Sequence, residues 1–286
     1  MGAFWRRIPA PAIFMFEGVV QYIGAAFAVT LFAAISPLTA AWLRSVLAGI
    51  VLLLWRLPFR MTWCELGLSC LFGTALVAMN TTFYEAIARL DLGTTVSIEF
   101  IGPVVFAALA IRGISGKFAV ALAFVGVVLI GGLGLDLRQL DDRIGFIWAL
   151  VAGTMWVGYI VLGRRVAVLG RGLDCLAVCI TFGSFLQLPF AFTEITRVFS
   201  SWYLAGLALA MALCSSVIPY ILEQVILRDV DASLFALLSA LLPVTSLLVG
   251  VALLAQIPTP AEVAGLVCVS VAVALTYRRD SEHDGD

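Results

Sequence analysis

Three charged side chains interrupt stretches of sequence that are otherwise apolar enough to lie in lipid: Glu17, Arg44 and Glu99. Glu99 stands inside "TTVSIEFIGPVVFAALAI", residues 94–111, shortly before a Gly-Pro pair. A charged group at the centre of a bilayer costs roughly 2.5–3.5 kcal/mol on insertion scales, so such groups face the protein interior, where they are paired or functional. These positions are therefore the first candidates for chemistry.

The neighbours of Glu99 make it the strongest of these candidates. Pro103 lacks an N–H and crowds the carbonyl four residues earlier, which is that of Glu99. Irregular backbone at membrane depth is tolerated where it is buried in protein or lines a water-filled cavity. A freed carbonyl beside a carboxylate predicts a polar notch in which Glu99 binds substrate. Because a low dielectric disfavours the charged carboxylate, Glu99 is also the candidate for proton coupling.

Other polar residues recur at helical spacing, so that each set shares one face of an apolar segment. Side chains on one face reach the same space, and these faces are expected to point into the protein. Two aromatic residues of the sixth segment are expected to complete the lining. The predicted substrate-binding residues are Glu99, Asn80, Tyr84, Tyr220, Gln21, Glu17, Tyr159 and Trp156.

Arg44, Pro103 and Pro243 are expected to have structural roles. Arg44 is predicted to pair with a carboxylate or with backbone carbonyls and so to hold its helix in place. The prolines are predicted to interrupt two helices at membrane depth, because proline removes a backbone donor and crowds the preceding turn.

The elements that position these residues are membrane helices. The chain is 63% hydrophobic and 12% charged, with a mean hydropathy of +1.10, whereas soluble domains are roughly 45–50% apolar and about 25% charged. Ten spans of about 20 residues are predicted. Their ranges are 12–33, 38–55, 63–84, 93–111, 118–135, 144–163, 174–192, 202–226, 232–254 and 261–277.

The basic residues predict how these spans are oriented. With the N-terminus inside, twelve of the 17 Lys and Arg residues fall in cytoplasmic segments and four in the opposite loops, while Arg44 lies within a span. Cytoplasmic loops of membrane proteins carry such an excess of positive charge. A multi-pass protein with both termini cytoplasmic is therefore expected.

The two halves of the chain resemble each other weakly. A shift of 140 residues lays "ARLDLGTTVSIEFIGPVVFAAL" (88–109) over "RDVDASLFALLSALLPVTSLLV" (228–249), which aligns Asp91 with Asp231 and Pro103 with Pro243. Five spans per half is an odd number, so the second copy must be inverted relative to the first. The predicted fold is all-α, with ten transmembrane helices in two inverted repeats, residues 1–140 and 141–286. Such repeats with interrupted helices are typical of secondary transporters.

These stretches resemble a known family. "NTTFYEAIARLDLGTTVSIEFIGP" and "SSVIPYILEQVILRDVDASLFALLSALLPV" are similar to the EamA branch of the drug/metabolite transporter superfamily, and most similar to its bacterial threonine/homoserine exporter group. The resemblance covers nearly the whole chain. It implies a central cavity lined by helices 1, 3, 4, 6, 8 and 9, transport by alternating access, and a location in the bacterial inner membrane.

The chain departs from the family pattern in its second half. Many members have Glu before the proline of helix 9, where this chain has Leu242, and Gly-Glu near the following turn, where it has Ala255 and Gln256. The second half is therefore expected to be poorer in acids, which argues against a symmetric two-carboxylate mechanism and leaves few groups that could relay a proton.

The leading functional hypothesis is an exporter of amino acids or similar small metabolites, whose transport is either facilitated or coupled to protons. A zwitterion needs an acid for its amine and donors for its carboxylate, which Glu99 or Glu17 with Asn80, Tyr84 and Tyr220 could supply. A multidrug exporter with an aromatic lining is the alternative. The chain is not expected to be an enzyme, because the spans contain neither histidine nor paired aspartates.

Further expectations concern partners. No cofactor and no metal site are expected, since the six cysteines are scattered through apolar segments and a metal needs more ligands than the pair Cys175 and Cys179. The expected partners are a small-molecule substrate, the lipid bilayer and, if transport is proton-coupled, protons. Nucleic acid is not expected to bind, and the chain is expected to be a monomer or a homodimer.

Overall fold

The computed structural model describes residues 10–56, 61–110, 114–131, 138–169, 171–191, 194–255, 257–265, 267–268 and 271–272. Within these ranges the protein is helical and contains no β-strand. The first half holds α1 Ala10–Leu31, α2 Pro37–Arg56, α3 Trp63–Ile87, α4 Leu92–Glu99, α5 Ile101–Ala110 and α6 Ile114–Gly131. The second half holds α7 Leu140–Val168, α8 Gly172–Ala191, α9 Ile195–Phe199, α10 Trp202–Ala212, α11 Ile218–Asp229, α12 Ala232–Leu238 and α13 Leu242–Leu254.

The described helices confirm a multi-pass membrane protein. Six of them are long and apolar enough to cross a bilayer: Ala10–Leu31, Pro37–Arg56, Trp63–Ile87, Leu140–Val168, Gly172–Pro189 and Trp202–Arg228. Shorter apolar helices are Leu92–Ala107, Lys117–Leu129 and Leu242–Leu254. The predicted spans from 12–33 to 232–254 each coincide with one helix or with an interrupted helix. The predicted last span, 261–277, and the tail after it lie largely outside the described residues, although 260–265 are helical.

Two interruptions fall where the prolines predict them. α4 ends at Glu99 and α5 begins at Ile101, two residues before Pro103. In the second half, a 3₁₀ turn at Ser239–Leu241 separates α12 from α13, which has Pro243 in its first turn. Proline fits the first turn of a helix because the N–H it lacks has no partner there. Both prolines therefore begin a new helical segment.

A third interruption was not predicted from the sequence. Residues Leu213–Val217 form a π-helix between α10 and α11. A π-helix bonds each carbonyl to the N–H five residues later, so it inserts one extra residue and turns the following helix face. The apolar composition of this stretch does not reveal it, because every residue in it is also compatible with an α-helix.

Glycines allow the backbones of the two halves to meet closely. A methyl group placed on Gly153 of α7 would lie 2.1 Å from the carbonyl oxygen of Glu99, and one on Gly102 would lie 2.3 Å from the carbonyl oxygen of Gly153. In α1, a methyl group on Gly18 would meet Thr245 Oγ1 of α13 at 2.2 Å. Small residues at helix crossings are typical of membrane proteins, whose helices associate by close packing. These crossings place the interrupted helices beside α1 and α7.

We expect Gly153→Ala to lower the thermal stability of the detergent-purified protein. The added methyl group would collide with backbone at Glu99, which cannot rotate away as a side chain can. Gly206→Ala is the matched control, because no atom lies within 4 Å of the added methyl group and alanine favours the helix. Melting curves of the two variants measure the difference, and equal midpoints would show that the crossing is not tightly packed.

Candidate functional site

The interrupted helices and the long helices meet around a small internal cavity. Its volume is about 20 Å³, which is room for roughly one water molecule. The lining comes from both halves of the chain and mixes aromatic, polar and charged side chains. The lining residues are Gln21, Tyr22, Ala25, Arg44, Met79, Asn80, Phe83, Glu99, Trp156, Ser215, Tyr220 and Glu223. In this conformation the cavity has no room for an amino acid.

Five of the eight predicted substrate-binding residues line this cavity: Gln21, Asn80, Glu99, Trp156 and Tyr220. Their helices are far apart in sequence, so only tertiary packing brings them together.

The other three predicted residues lie behind the cavity wall. The side chain of Tyr84 is fully buried, and its ring lies against the guanidinium of Arg44. The Tyr159 hydroxyl donates a hydrogen bond to Glu223. Glu17 is fully buried and faces Glu223. These three residues contact the lining residues and are positioned to support them.

Arg44 connects the two halves at the cavity. Its NH1 donates to the carbonyl oxygen of Ser215 at 3.2 Å, and its NH2 donates to the Tyr220 hydroxyl at 3.0 Å. The guanidinium carbon lies 5.1 Å from the ring centre of Tyr84 and 5.9 Å from that of Tyr220, within the range of cation–π attraction. Arg44 thus contacts a backbone carbonyl and two aromatic rings, and it also lines the cavity. That its role is structural stays a prediction.

A hydrogen bond between Tyr220 and Asn80 extends this network. The Tyr220 hydroxyl donates to Asn80 Oδ1 at 2.9 Å. The two residues are separated by 140 positions, which is the shift that aligns the two halves. The Asn80 side-chain amide group keeps two N–H donors on the wall of the cavity.

Glu99 turns its side chain toward the cavity and its carbonyl toward α7. The side chain lines the cavity, is 5% exposed, and lies close enough to Arg44 for charge attraction. The carbonyl oxygen faces Gly153, where the two backbones touch. The sequence argument placed the freed carbonyl and the carboxylate in one notch, but the structure directs them to different neighbours.

Glu223 is the acidic residue that the sequence argument passed over. It lies one turn after Tyr220 on the predicted polar face, and it was not included among the binding residues. The structure places it in the cavity wall. The second half therefore supplies one acid to the cavity wall, from α11 and not from the position before Pro243.

The π-helix changes which serine faces the cavity. Regular helical spacing from Tyr220 predicts Ser216, but Ser215 lines the cavity and receives the Arg44 hydrogen bonds. The extra residue of the π-helix shifts the face by one position. Sequence spacing assumes a regular helix and could not have found Ser215.

Comparisons with known proteins show which transporters this chain is similar to. The model of the EamA-like transporter family matches residues 143–278. The threonine/homoserine exporter RhtA of Escherichia coli K12 is 29% identical over 264 residues, which cover 91% of this chain and 89% of that protein. RhtA of Salmonella typhimurium LT2 has the same identity and coverage. A solved crystal structure aligns with 94% of this chain and 98% of its own, with a TM-score of 0.70 and 18% identity. The resemblance predicted from the sequence is confirmed.

We expect Arg44→Gln to lower the yield of folded protein more than the transport rate per folded molecule. The substitution removes the donors to Ser215 and Tyr220 and leaves the buried carboxyl groups without a cation. Arg56→Gln is the control, because Arg56 pairs with Asp174 at a more exposed position, where ion pairs contribute roughly 0–1 kcal/mol. Size-exclusion yield and transport per folded molecule measure the two effects. Normal yield without transport would make Arg44 a binding residue.

Proposed function

We propose that this chain, whose residues 143–278 carry an EamA-like transporter domain, exports small amino acids of the threonine and homoserine kind across the bacterial inner membrane. The observation that carries the proposal is a closed cavity with groups of both charges in its wall, Arg44 and Glu99 among them. The relatives reported above are threonine/homoserine exporters by name.

The chemistry of the cavity suits a zwitterion. Glu99 is placed to receive the substrate ammonium group, since a carboxylate accepts hydrogen bonds and carries the opposite charge. The Asn80 amide keeps N–H donors for the substrate carboxylate while its oxygen accepts from Tyr220. Arg44 gives the same wall a positive charge, although its terminal nitrogens are already bonded to Ser215 and Tyr220. The ammonium and carboxylate groups of one amino acid are thereby matched.

Transport by alternating access between two inverted repeats is supported by three features. The present cavity is too small for an amino acid, so substrate must bind in another conformation. The helix interruptions at Pro103 and Pro243 stand at equivalent positions under the 140-residue shift. Asn80 and Tyr220, also equivalent, meet at the centre. Secondary transporters bind substrate between two such repeats and move one repeat against the other.

A second cavity is larger than the one around Arg44 and Glu99. It measures about 400 Å³ and is lined by residues 87–92 with Val29, Asp142 and Leu254. With both termini in the cytoplasm, the α3–α4 connection and the end of α13 lie on the outer side. We assign this cavity to the exit side of the exporter.

The alternative function is a multidrug exporter. It is favoured by the aromatic residues of the lining, which are Tyr22, Phe83, Trp156 and Tyr220. Trp156 also packs edge-on against Phe100, with ring centres 4.9 Å apart. The buried charges favour the amino-acid proposal, because a permissive site for diverse apolar compounds has no need for a guanidinium with carboxyl groups.

The proposal predicts that Glu99→Gln abolishes both amino-acid exchange and gradient-driven efflux in proteoliposomes. If Glu99 receives the substrate ammonium group, the neutral amide removes the attraction on which binding depends. Vesicles loaded with labelled threonine or homoserine measure both fluxes. Glu65→Gln is the control, because Glu65 lies at the start of α3 in a capping box that glutamine also satisfies.

The outcomes separate the competing roles. Loss of the pH response with exchange retained would identify Glu99 as a proton carrier, and unchanged fluxes would return it to a structural role. Efflux of aromatic cations without efflux of amino acids would favour the multidrug alternative.

The proposed orientation predicts opposite labelling of two loops. In a Cys64→Ser background, Leu140→Cys should react with an impermeant maleimide added to intact cells, whereas Leu169→Cys should react only after the cells are opened. Both positions are exposed at opposite ends of α7. The reverse pattern would invert the orientation.

A further inference from the structure

Two buried carboxyl groups face each other beside the cavity. Glu17 of α1 lies within hydrogen-bonding reach of Glu223 of α11, and their side chains are 0% and 2% exposed. Within the described part of the chain, neither carboxyl oxygen of Glu17 has a hydrogen-bond donor. Glu223 receives one hydrogen bond, from the Tyr159 hydroxyl.

This contact lacks a hydrogen atom when both groups are ionised. An ionised carboxylate is only an acceptor, whereas a protonated carboxyl has one O–H donor. Two facing carboxylates repel each other, and a single proton between them replaces the repulsion by a hydrogen bond. A proton is the smallest cation that allows the two carboxyl groups to hydrogen-bond to each other.

The charges around the pair lead to the same conclusion. Three carboxyl groups, Glu17, Glu99 and Glu223, share the site with one guanidinium, Arg44. If all four groups are ionised, they carry a net charge of −2 among buried side chains. The remaining titratable groups that face the pair are phenols, which are neutral at physiological pH: Tyr22 of α1, Tyr159 of α7 and Tyr220 of α11. One added proton brings the net charge to −1. A zwitterionic amino acid leaves the net charge unchanged, so it competes with the proton through the local contact of its ammonium group with the acids.

We propose that Glu17 and Glu223 form the proton-binding site that drives export, separate from the substrate-binding role of Glu99. The inference rests on the proposed function. The proton and the substrate ammonium group compete for the same negative charge, because Glu223 belongs both to the pair and to the cavity wall. Binding of the amino acid favours the ionised pair and releases the proton. Return of the proton neutralises the pair and favours release of the amino acid.

The position of the pair fits this cycle. Glu17 is the eighth residue of α1, and Glu223 lies six residues before the end of α11. In the predicted topology the start of α1 and the end of α11 are on the same side of the membrane. In the proposed orientation that side is the cytoplasm. The proton would therefore leave the pair toward the cytoplasm as a new substrate molecule binds.

The test compares exchange with proton-driven efflux for Glu17→Gln. Proteoliposomes loaded with labelled threonine or homoserine are diluted into buffer of equal pH with unlabelled amino acid, or into buffer one pH unit lower. A gradient of one unit can drive up to about tenfold accumulation for each coupled proton. We expect wild-type efflux to accelerate in the acidic buffer. Glu17→Gln should retain exchange at equal pH and lose the acceleration.

A second measurement does not depend on transport. Threonine or homoserine added to purified wild-type protein in lightly buffered detergent should release protons, recorded with a pH indicator. Glu17→Gln should bind the amino acid with little proton release. If Glu17→Gln does not fold, Glu17→Asp keeps the carboxyl group and Tyr159→Phe removes the donor to Glu223. These variants should keep proton release but shift the pH at which efflux is half-maximal.

Glu262→Gln is the matched control for both measurements. Glu262 lies near the end of the described chain and accepts a hydrogen bond from the Thr259 backbone, which glutamine can also accept. It should keep exchange, acceleration and proton release.

Each other result has a distinct meaning. Retained acceleration and proton release in Glu17→Gln would overturn the assignment, as would acceleration by a sodium gradient in place of a proton gradient. No exchange by the wild-type protein at equal pH would instead contradict the proposed function itself.

Discussion

The structure depends on the burial of one guanidinium in an apolar environment. Arg44 is 2% exposed, and in the bilayer no water replaces a missing hydrogen-bond partner. Its bonds reach Ser215 in the π-helix and Tyr220 on α11, and the Tyr220 hydroxyl in turn donates to Asn80 on α3. A single buried cation thereby connects α2 and α3 of the first half to the second half. Removing a partner from such a network leaves a charge or dipole unsatisfied, which costs more than the bond itself contributes.

Two irregular segments of backbone, the break after Glu99 and the π-helix, bring the polar groups of the site together. An unbroken α-helix keeps its carbonyl and N–H groups engaged with each other and presents a regular face. The break after Glu99 turns the carboxyl side chain into the cavity while its carbonyl packs against Gly153. The π-helix presents Ser215 instead of Ser216 to Arg44. In both places the departure from regular structure is accompanied by close packing or by a side-chain donor, so that polar backbone is not exposed to lipid.

The acids of the site come from both halves of the chain. Glu17 and Glu99 belong to the first half and Glu223 to the second, and the site holds one arginine. Carboxyl groups outnumber the single guanidinium, so the site can accept a cationic group without a further basic residue. Substrate ammonium and proton are the two cations that the proposals assign to it. A cavity of about 20 Å³ holds neither an amino acid nor bulk water. Without bulk water the local dielectric is low, so the competition between proton and ammonium group for the carboxylates is strong.

The sequence alone determined the membrane class, the positions of the helices and the polar faces, because these follow from local composition and spacing. Glu99, Asn80 and Tyr220 could be predicted as site residues since each interrupts an apolar helix and needs a protein partner. The tertiary structure decided which residues touch. It placed Arg44 in the cavity wall, moved Tyr84 and Tyr159 behind it, and brought Glu17 to Glu223 across more than 200 residues of chain. Spacing within one helix carries no information about a facing helix, and a π-helix changes the spacing itself.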